Sequence, residues 1–101
     1  MKDKDEVRDI RDAMREFLRG EGLRDLDDLL HIKERWKDIA GEETASFSRP
    51  YRLEAGRLYV GVESHARVQD ALFRKEEIRR GIREVLGMEI AEVVVKKVNL
   101  K

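Results

Sequence analysis

Apolar positions at the start of the chain recur at the spacing of an amphipathic helix. This spacing predicts a first helix over residues 5–19, with charged residues on either side of one narrow apolar stripe. The stripe consists of Val7, Ile10, Met14 and Phe17. Gly20 and Gly22 follow as stop signals. We expect residues 1–22 to form an N-terminal helix that either caps the core or binds a partner, a second copy of the chain included.

A second helix is predicted between Asp25, a good N-cap residue, and Gly41, which ends it. Its apolar side consists of Leu26, Leu29, Leu30, Ile32, Trp36 and Ile39. Trp36 has two interpretations, a core anchor or an exposed platform on which a nucleic-acid base stacks. A short helical turn is predicted over residues 42–47, and Pro50 then favours extended backbone.

After Pro50 the pattern changes to the two-residue period of half-buried strands. One side of the first strand carries Tyr51, Leu53 and Ala55, and the other side carries Arg52 and Glu54. The alternation returns at Leu58, Val60 and Val62. The pattern predicts a hairpin with strands over residues 50–55 and 57–62, and a tight turn in which Gly56 takes positive φ.

The last part of the chain predicts one more helical region and a final strand. Ser64 is a strong N-cap candidate, and the apolar face that follows continues to Leu86, with Gly87 as the residue after the helix. The charged run over residues 74–77 interrupts this face, so one long helix and two short helices both remain open. The β-branched run within residues 90–98 predicts a strand.

These elements give the order α-α-β-β-α-β and predict an α+β fold. The simplest packing is a three-stranded sheet with the helices on one face. Because a helix precedes the last strand, we expect that strand to run parallel to an earlier one through a crossover connection. The order resembles KH-like folds. The chain has no G-x-x-G loop between helices, so the shape alone does not imply the RNA clamp of a KH domain.

The amino-acid composition excludes several classes of protein but does not by itself indicate a function. Basic and acidic residues number 22 each, although residues 1–30 are mildly acidic and the remainder mildly basic. The chain contains no Cys, no apolar run long enough for a membrane span, and no apolar region typical of a secretory signal at its start. We therefore expect a cytoplasmic protein.

The high charge content suggests a thermophilic source. Charged residues make up 44% of the chain, while thermolabile Asn, Gln and Cys are almost absent. This is a hypothesis. A melting midpoint within the usual range of mesophile domains, ~45–65 °C, would argue against it.

The sequence contains no motif of an enzyme or of a metal site. P-loop, dinucleotide-binding, nucleophile-elbow and H-E-x-x-H patterns are missing, and His31 and His65 are far apart. We expect no enzymatic activity, cofactor or metal.

The third predicted helix and the last strand carry basic residues that could contact nucleic acid. The candidates for nucleic-acid contact are Arg67, Arg74, Lys75, Arg79, Arg80, Arg83, Lys96 and Lys97. The alternative is an ordinary solvated helix face with ion pairs.

One set of residues resembles a known family. The set is Trp36-x-x-Ile39-x-Gly41, Ser48-x-Pro50, Leu53-x-x-Gly56-x-Leu58-x-Val60-x-Val62-x-Ser64, and Leu86-Gly87 before the valine-rich strand. It is similar to the bacterial DciA-like family, across about residues 26–100. In this resemblance Trp36, Gly41, Pro50 and Gly56 are structural positions.

The resemblance implies a KH-like domain over residues 23–101 that acts as a non-enzymatic adaptor. Proteins of this family are linked to loading or operation of the replicative DNA helicase and contact DNA, often single-stranded DNA. The implied partners are therefore the replicative helicase and nucleic acid bound without sequence preference. The alternative is a purely protein-binding or dimerising module, which the acidic first helix and the neutral net charge favour.

Overall fold

The computed structural model describes residues 21–99, and the side chains of residues 23–99. The predicted helix over residues 5–19, with its stripe of Val7, Ile10, Met14 and Phe17, lies outside this range. The division of the chain into an N-terminal helix (residues 1–22) and a domain (residues 23–101) remains a prediction. The helices are α1 (Glu21–Glu34), α2 (Trp36–Ala40), α3 (Glu42–Phe47), α4 (His65–Phe73) and α5 (Lys75–Leu86). The strands are β1 (Ser48–Glu54), β2 (Arg57–Val62) and β3 (Glu92–Lys97).

The three strands form one mixed sheet in the order β1-β2-β3. Strand β2 pairs antiparallel with β1 through the hairpin and parallel with β3, so Leu58 lies opposite Leu53 on one side and Val93 on the other. A parallel partner requires a crossover, which α4 and α5 provide. The predicted α+β class and three-stranded sheet are confirmed.

The core lies between one face of the sheet and the helices. The largest fully buried apolar side chains come from the helices α1 and α5 and from the strands β2 and β3. They include Ile32, Leu58, Val60, Ile78, Ile82 and Val93. Burying each such side chain stabilises the fold by about 1.5–3 kcal/mol. On the opposite face of the sheet, solvent reaches side chains of the described residues, Tyr51 among them.

The second helical region differs from its prediction. Helix α1 already includes Gly22 and Asp25, so Gly22 does not stop a helix and Asp25 does not cap one. The helical run breaks at Arg35, whose backbone (φ −109°, ψ 17°) leaves the helical range. The break turns Trp36 and the short α2 onto the core. Gly41, at φ 90°, separates α2 from α3.

The buried side of α1 is also narrower than predicted. Leu29 and Ile32 face the core, whereas Leu26 and Leu30 are each 49% exposed. The prediction that all four side chains face the core was therefore wrong for Leu26 and Leu30. A helix that packs over a single strand buries a narrow stripe only, and α1 packs mainly against β1.

The hairpin forms as predicted, with one irregularity. Ala55 and Gly56 both take positive φ, 51° and 79°, as a two-residue type I′ turn requires. The register shifts between Pro50 and Arg52, so Tyr51 is an extra residue in β1. The expectation that Tyr51 shares a side with Leu53 was therefore wrong. Its ring lies on the opposite face, 6.1 Å from that of Tyr59.

The region after β2 contains two helices rather than one. The Ser64 hydroxyl accepts a hydrogen bond from the backbone N–H of Arg67 at 3.3 Å, so Ser64 caps α4. The backbone of Arg74 (φ −102°, ψ 7°) separates α4 from α5, and Gly87 ends α5 in the left-handed region at φ 70°. The charged run over residues 74–77 thus marks a true break.

Candidate nucleic-acid interface

The predicted basic residues fall into two groups according to their ion pairs. Four arginines lie beside carboxylates. Arg67 contacts Asp70 at 3.2 Å, Arg79 contacts Glu76 at 2.9 Å, and Arg83 contacts Glu89 at 2.9 Å. Arg74 lies 3.8 Å from Glu43 and 3.6 Å from Glu77. Across residues 23–99, no carboxylate lies within ion-pair distance of the second group, Lys75, Arg80, Lys96 and Lys97.

Arg79 is held more firmly than the other arginines. Its Nε donates a hydrogen bond to the carbonyl oxygen of Ile90 at 3.0 Å, and its side chain is only 32% exposed. The bond ties α5 to the segment that leads into β3. Arg79 therefore has a structural contact that Arg80, its exposed neighbour, does not have.

The eight predicted residues do not form one continuous surface. Lys75 and Arg74 begin α5 near α3, whereas Arg83 lies at the far end beside Glu89. Successive side chains of a strand point to opposite faces, so Lys96 and Lys97 leave β3 on different sides of the sheet. Lys96 lies on the open face, where its Nζ is 5.9 Å from the ring centroid of Tyr59.

The open face of the sheet carries residues that the charge count did not identify. Its centre is Tyr59 on β2, with Tyr51 beside it on β1. The Arg52 guanidinium lies over the Tyr59 ring, 5.3 Å from the centroid. Strand alternation could have placed Tyr59 there, because Leu58 and Val60 on either side of it are buried. Nothing in the alternation could have placed Tyr51, which reaches this face through the bulge.

A groove adjoins the open face at the edge of β1. It has a volume of about 400 Å³ and lies between that strand and the helices α1, α2 and α3. Its lining residues are Lys33, Trp36, Ala45, Ser48, Arg49, Pro50 and Tyr51. Lys33 and Arg49 are exposed and, within the part of the chain described, have no carboxylate at ion-pair distance. The groove is therefore lined by the positive side chains of Lys33 and Arg49 and by the aromatic rings of Trp36 and Tyr51.

Trp36 forms the inner side of this groove and is fixed there. It is 6% exposed, and its indole Nε1–H donates a hydrogen bond to the Ser48 hydroxyl at 3.2 Å. The same hydroxyl donates to the carbonyl oxygen of Thr44 at 2.6 Å, which links α2, α3 and β1. The ring is thus a core anchor, and the alternative of an exposed stacking platform does not hold.

Exposed apolar side chains define a second type of surface. Leu23, Leu26 and Leu30 lie at helical spacing along α1 and are about half exposed. Phe73, at the end of α4, is 85% exposed. Apolar groups left in water at regular spacing are typical of contact surfaces for other proteins.

The described residues contain neither a metal-binding cluster nor a membrane-spanning helix. Residues 23–99 contain no group of three or more His, Cys, Asp or Glu side chains that could hold a metal ion. His31 lies 3.5 Å from Asp27, and both side chains are more than half exposed. None of the described helices is long and apolar enough to cross a membrane.

The comparison with protein families gives this arrangement a context. The chain matches the family model described as "Dna[CI] antecedent, DciA" over residues 9–95. The chain belongs to the DciA family. The resemblance that the sequence predicted is therefore confirmed, and the match begins earlier than the expected residue 26. The DciA family is associated with loading of the replicative DNA helicase. No curated protein matches the chain in sequence.

Proposed function

We propose that this protein is a non-enzymatic adaptor that binds the replicative DNA helicase and contacts nucleic acid without sequence preference. The observation that carries the proposal is membership of the DciA family over residues 9–95. A replication adaptor works where DNA is being opened, so single-stranded DNA is the expected nucleic acid. The exposed basic side chains supply the charge for that contact.

The unpaired cations are the strongest candidates for phosphate contact. Among residues 23–99, no carboxylate lies within ion-pair distance of Lys75, Arg80, Lys96 and Lys97, so a phosphate displaces no ion pair there. Lys96 gives up only its contact with the Tyr59 ring. The arginines with exposed carboxylate partners lose little, because such surface pairs stabilise a protein by only about 0–1 kcal/mol. Arg79 is the exception, since a phosphate would compete with its hydrogen bond to Ile90. We therefore assign Arg80 and Lys96 a larger role in binding than Arg79.

Salt dependence of binding tests the nucleic-acid part of the proposal. Fluorescence anisotropy with a labelled single-stranded oligonucleotide should show affinity that falls steeply as salt rises. Four phosphate contacts on a single strand would give a slope of log K against log salt of about −3. Arg80→Glu and Lys96→Glu should lower the slope, whereas Arg24→Glu, the same charge change on exposed α1, should have little effect. Absence of binding at low salt would refute nucleic-acid contact.

Co-purification tests the protein part. The full chain, immobilised through a terminal tag, should retain the purified replicative helicase of the same organism. We expect retention to persist in nuclease-treated samples, because an adaptor contacts the helicase directly. Failure to retain the helicase with and without single-stranded DNA would refute the adaptor function.

A second candidate function is a protein-binding or dimerising module without nucleic-acid contact. The exposed leucines of α1, Leu23, Leu26 and Leu30, favour it. Light scattering of the full chain with and without the double substitution L26E/L30E distinguishes the cases. A dimer that becomes a monomer in the variant would identify α1 as the self-association surface. If both are monomers, the leucines contact a different protein and not a second copy of this chain.

A further inference from the structure

We propose that the open face of the sheet is a base-stacking site for single-stranded DNA, with Tyr59 and Tyr51 as its aromatic platform. The inference rests on the proposed nucleic-acid contact and extends it. Phosphate contacts alone would bind single and double strands alike, whereas stacked bases must be unpaired. The site also involves residues outside the predicted set of eight, namely Tyr51, Tyr59, Arg49, Arg52 and Lys33.

The fold brings the two tyrosines together by an irregularity in β1. The register shift between Pro50 and Arg52 makes Tyr51 an extra residue in its strand, and its ring turns to the open face. There the two ring centroids lie 6.1 Å apart and the planes are inclined by 51°. Tyr51 is 38% exposed, so a base can reach its ring. Stacking on such rings tolerates any base, as a binding module without sequence preference requires.

Gly61 makes room for this arrangement. A Cβ at position 61 would lie 3.4 Å from the Tyr51 ring and would overlap with the side chain of Val98. Tyr51 and Val98 therefore cover the backbone at Gly61 and continue the platform beyond Tyr59. The sheet face is apolar along this line, in contrast to the charged helix surfaces.

Charge is distributed unevenly along the open face. At the hairpin end, Glu54 and Glu92 lie beside Arg52 and Arg57 and balance them. At the other end, Arg49 and Lys96 lie in one row of the sheet on either side of Gly61, and no carboxylate of the described residues lies within ion-pair distance of them. A polyanion is therefore attracted to the Arg49 end.

The groove beside β1 extends this positive end. Arg49 and Tyr51 belong both to the open face and to the groove, which Lys33 lines from α1. A strand whose bases stack on Tyr59 and Tyr51 can continue into this groove, where Arg49 and Lys33 lie. Arg52 and Lys96, now over the Tyr59 ring, are exposed and can turn to the phosphates. Charge complementarity and accessible rings together select a single-stranded nucleic acid, and the proposed replication function makes DNA the occupant.

The test compares a strand that has bases with one that lacks them. Anisotropy is measured with labelled oligothymidylate and with an abasic DNA strand of the same length and charge. The full chain should bind oligothymidylate more tightly than the abasic strand. The double substitution Y51L/Y59L, which keeps apolar volume, should lower affinity for oligothymidylate by roughly tenfold to a hundredfold. It should leave affinity for the abasic strand unchanged.

Two matched variants control for aromatic content and for folding. F73L removes an exposed aromatic ring from the end of α4, outside the sheet, and should leave both affinities unchanged. Y59F keeps the ring and should retain binding to oligothymidylate.

The outcomes separate this inference from the proposed function. Salt-sensitive binding that is equal for both strands and unaffected by Y51L/Y59L would overturn the stacking site and leave phosphate contact intact. No binding of either strand would overturn both. Tighter binding of an RNA strand of the same sequence would overturn DNA as the occupant.

Discussion

Gly81 of α5 lies directly against the carbonyl oxygen of Ile39 in α2. A Cβ at position 81 would overlap with that oxygen and would lie 3.1 Å from the Ile39 Cα. The two helices can therefore approach this closely only because residue 81 has no side chain. This contact, rather than tolerance of a weak helix former, explains a glycine in the middle of α5.

We expect Gly81→Ala to destabilise the fold although alanine is the better helix former. The propensity gain is about 1 kcal/mol, and overpacking against backbone typically costs about 1–3 kcal/mol. Because the Ile39 carbonyl cannot move as a side chain can, the loss should exceed the gain. Urea denaturation measures the free energy of unfolding, and Glu84→Ala on the exposed side of the same helix is the control. A Gly81→Ala variant more stable than the parent would contradict the close approach.

Ser48→Ala should destabilise the fold by about 1–3 kcal/mol, because it leaves the buried Trp36 Nε1–H without its acceptor. The matched control is Ser46→Ala. The Ser46 hydroxyl also donates to a backbone carbonyl, that of Glu43, but in an exposed position. Thermal denaturation of both variants should show a loss for Ser48 alone. Equal loss in both would mean that the Trp36 hydrogen bond does not stabilise the core.

The hairpin turn should respond in opposite directions at its two positions. Ala55 takes φ 51°, a left-handed conformation that costs alanine free energy, whereas Asn tolerates it because its short polar side chain can hydrogen-bond locally. Ala55→Asn should raise the free energy of unfolding, because it relieves the strain at this position. Gly56→Ala should lower it by at least as much, because φ 79° strains alanine and the new Cβ meets Ala91 at 3.4 Å. Two changes of the same sign, by urea denaturation, would argue against a type I′ turn.

Arg79→Met and Arg80→Met should separate structure from binding. Arg79 loses its hydrogen bond to Ile90, so its replacement should destabilise the fold by about 1–2 kcal/mol. Arg80 has no such contact, so its replacement should leave stability unchanged and weaken DNA binding. Urea denaturation and anisotropy on the same samples provide both values. The reverse assignment, with Arg80 stabilising and Arg79 binding, would refute the roles proposed for them.

The order of elements was predictable because the apolar period changes clearly along the chain. Helical spacing ends near Gly41, alternation begins after Pro50, and the β-branched run before residue 98 indicates the last strand. The two helix breaks were harder to foresee. Neither Arg35 nor Arg74 has a low helix propensity, so propensity alone does not locate either break.

The candidate interface was less predictable than the fold. A count of basic residues identifies charge, but it does not show that Asp70, Glu76 and Glu89 lie beside the arginines. Those pairs depend on side-chain positions and on the segment after α5. Tyr51 was assigned to the wrong face because a bulge leaves no mark in a two-residue period. The aromatic platform therefore becomes visible only in three dimensions.

The parallel pairing of β2 with β3 also bears on how the protein is made. Val93 and Ile90 close the core against residues that were synthesised much earlier, such as Leu58 and Ile32. A nascent chain can form the hairpin on the ribosome, but its apolar face remains uncovered until β3 emerges. Pairing between strands so distant in sequence is slow, because a long loop must close first. During that interval the apolar face of the hairpin is exposed to water, and an exposed apolar sheet face favours aggregation.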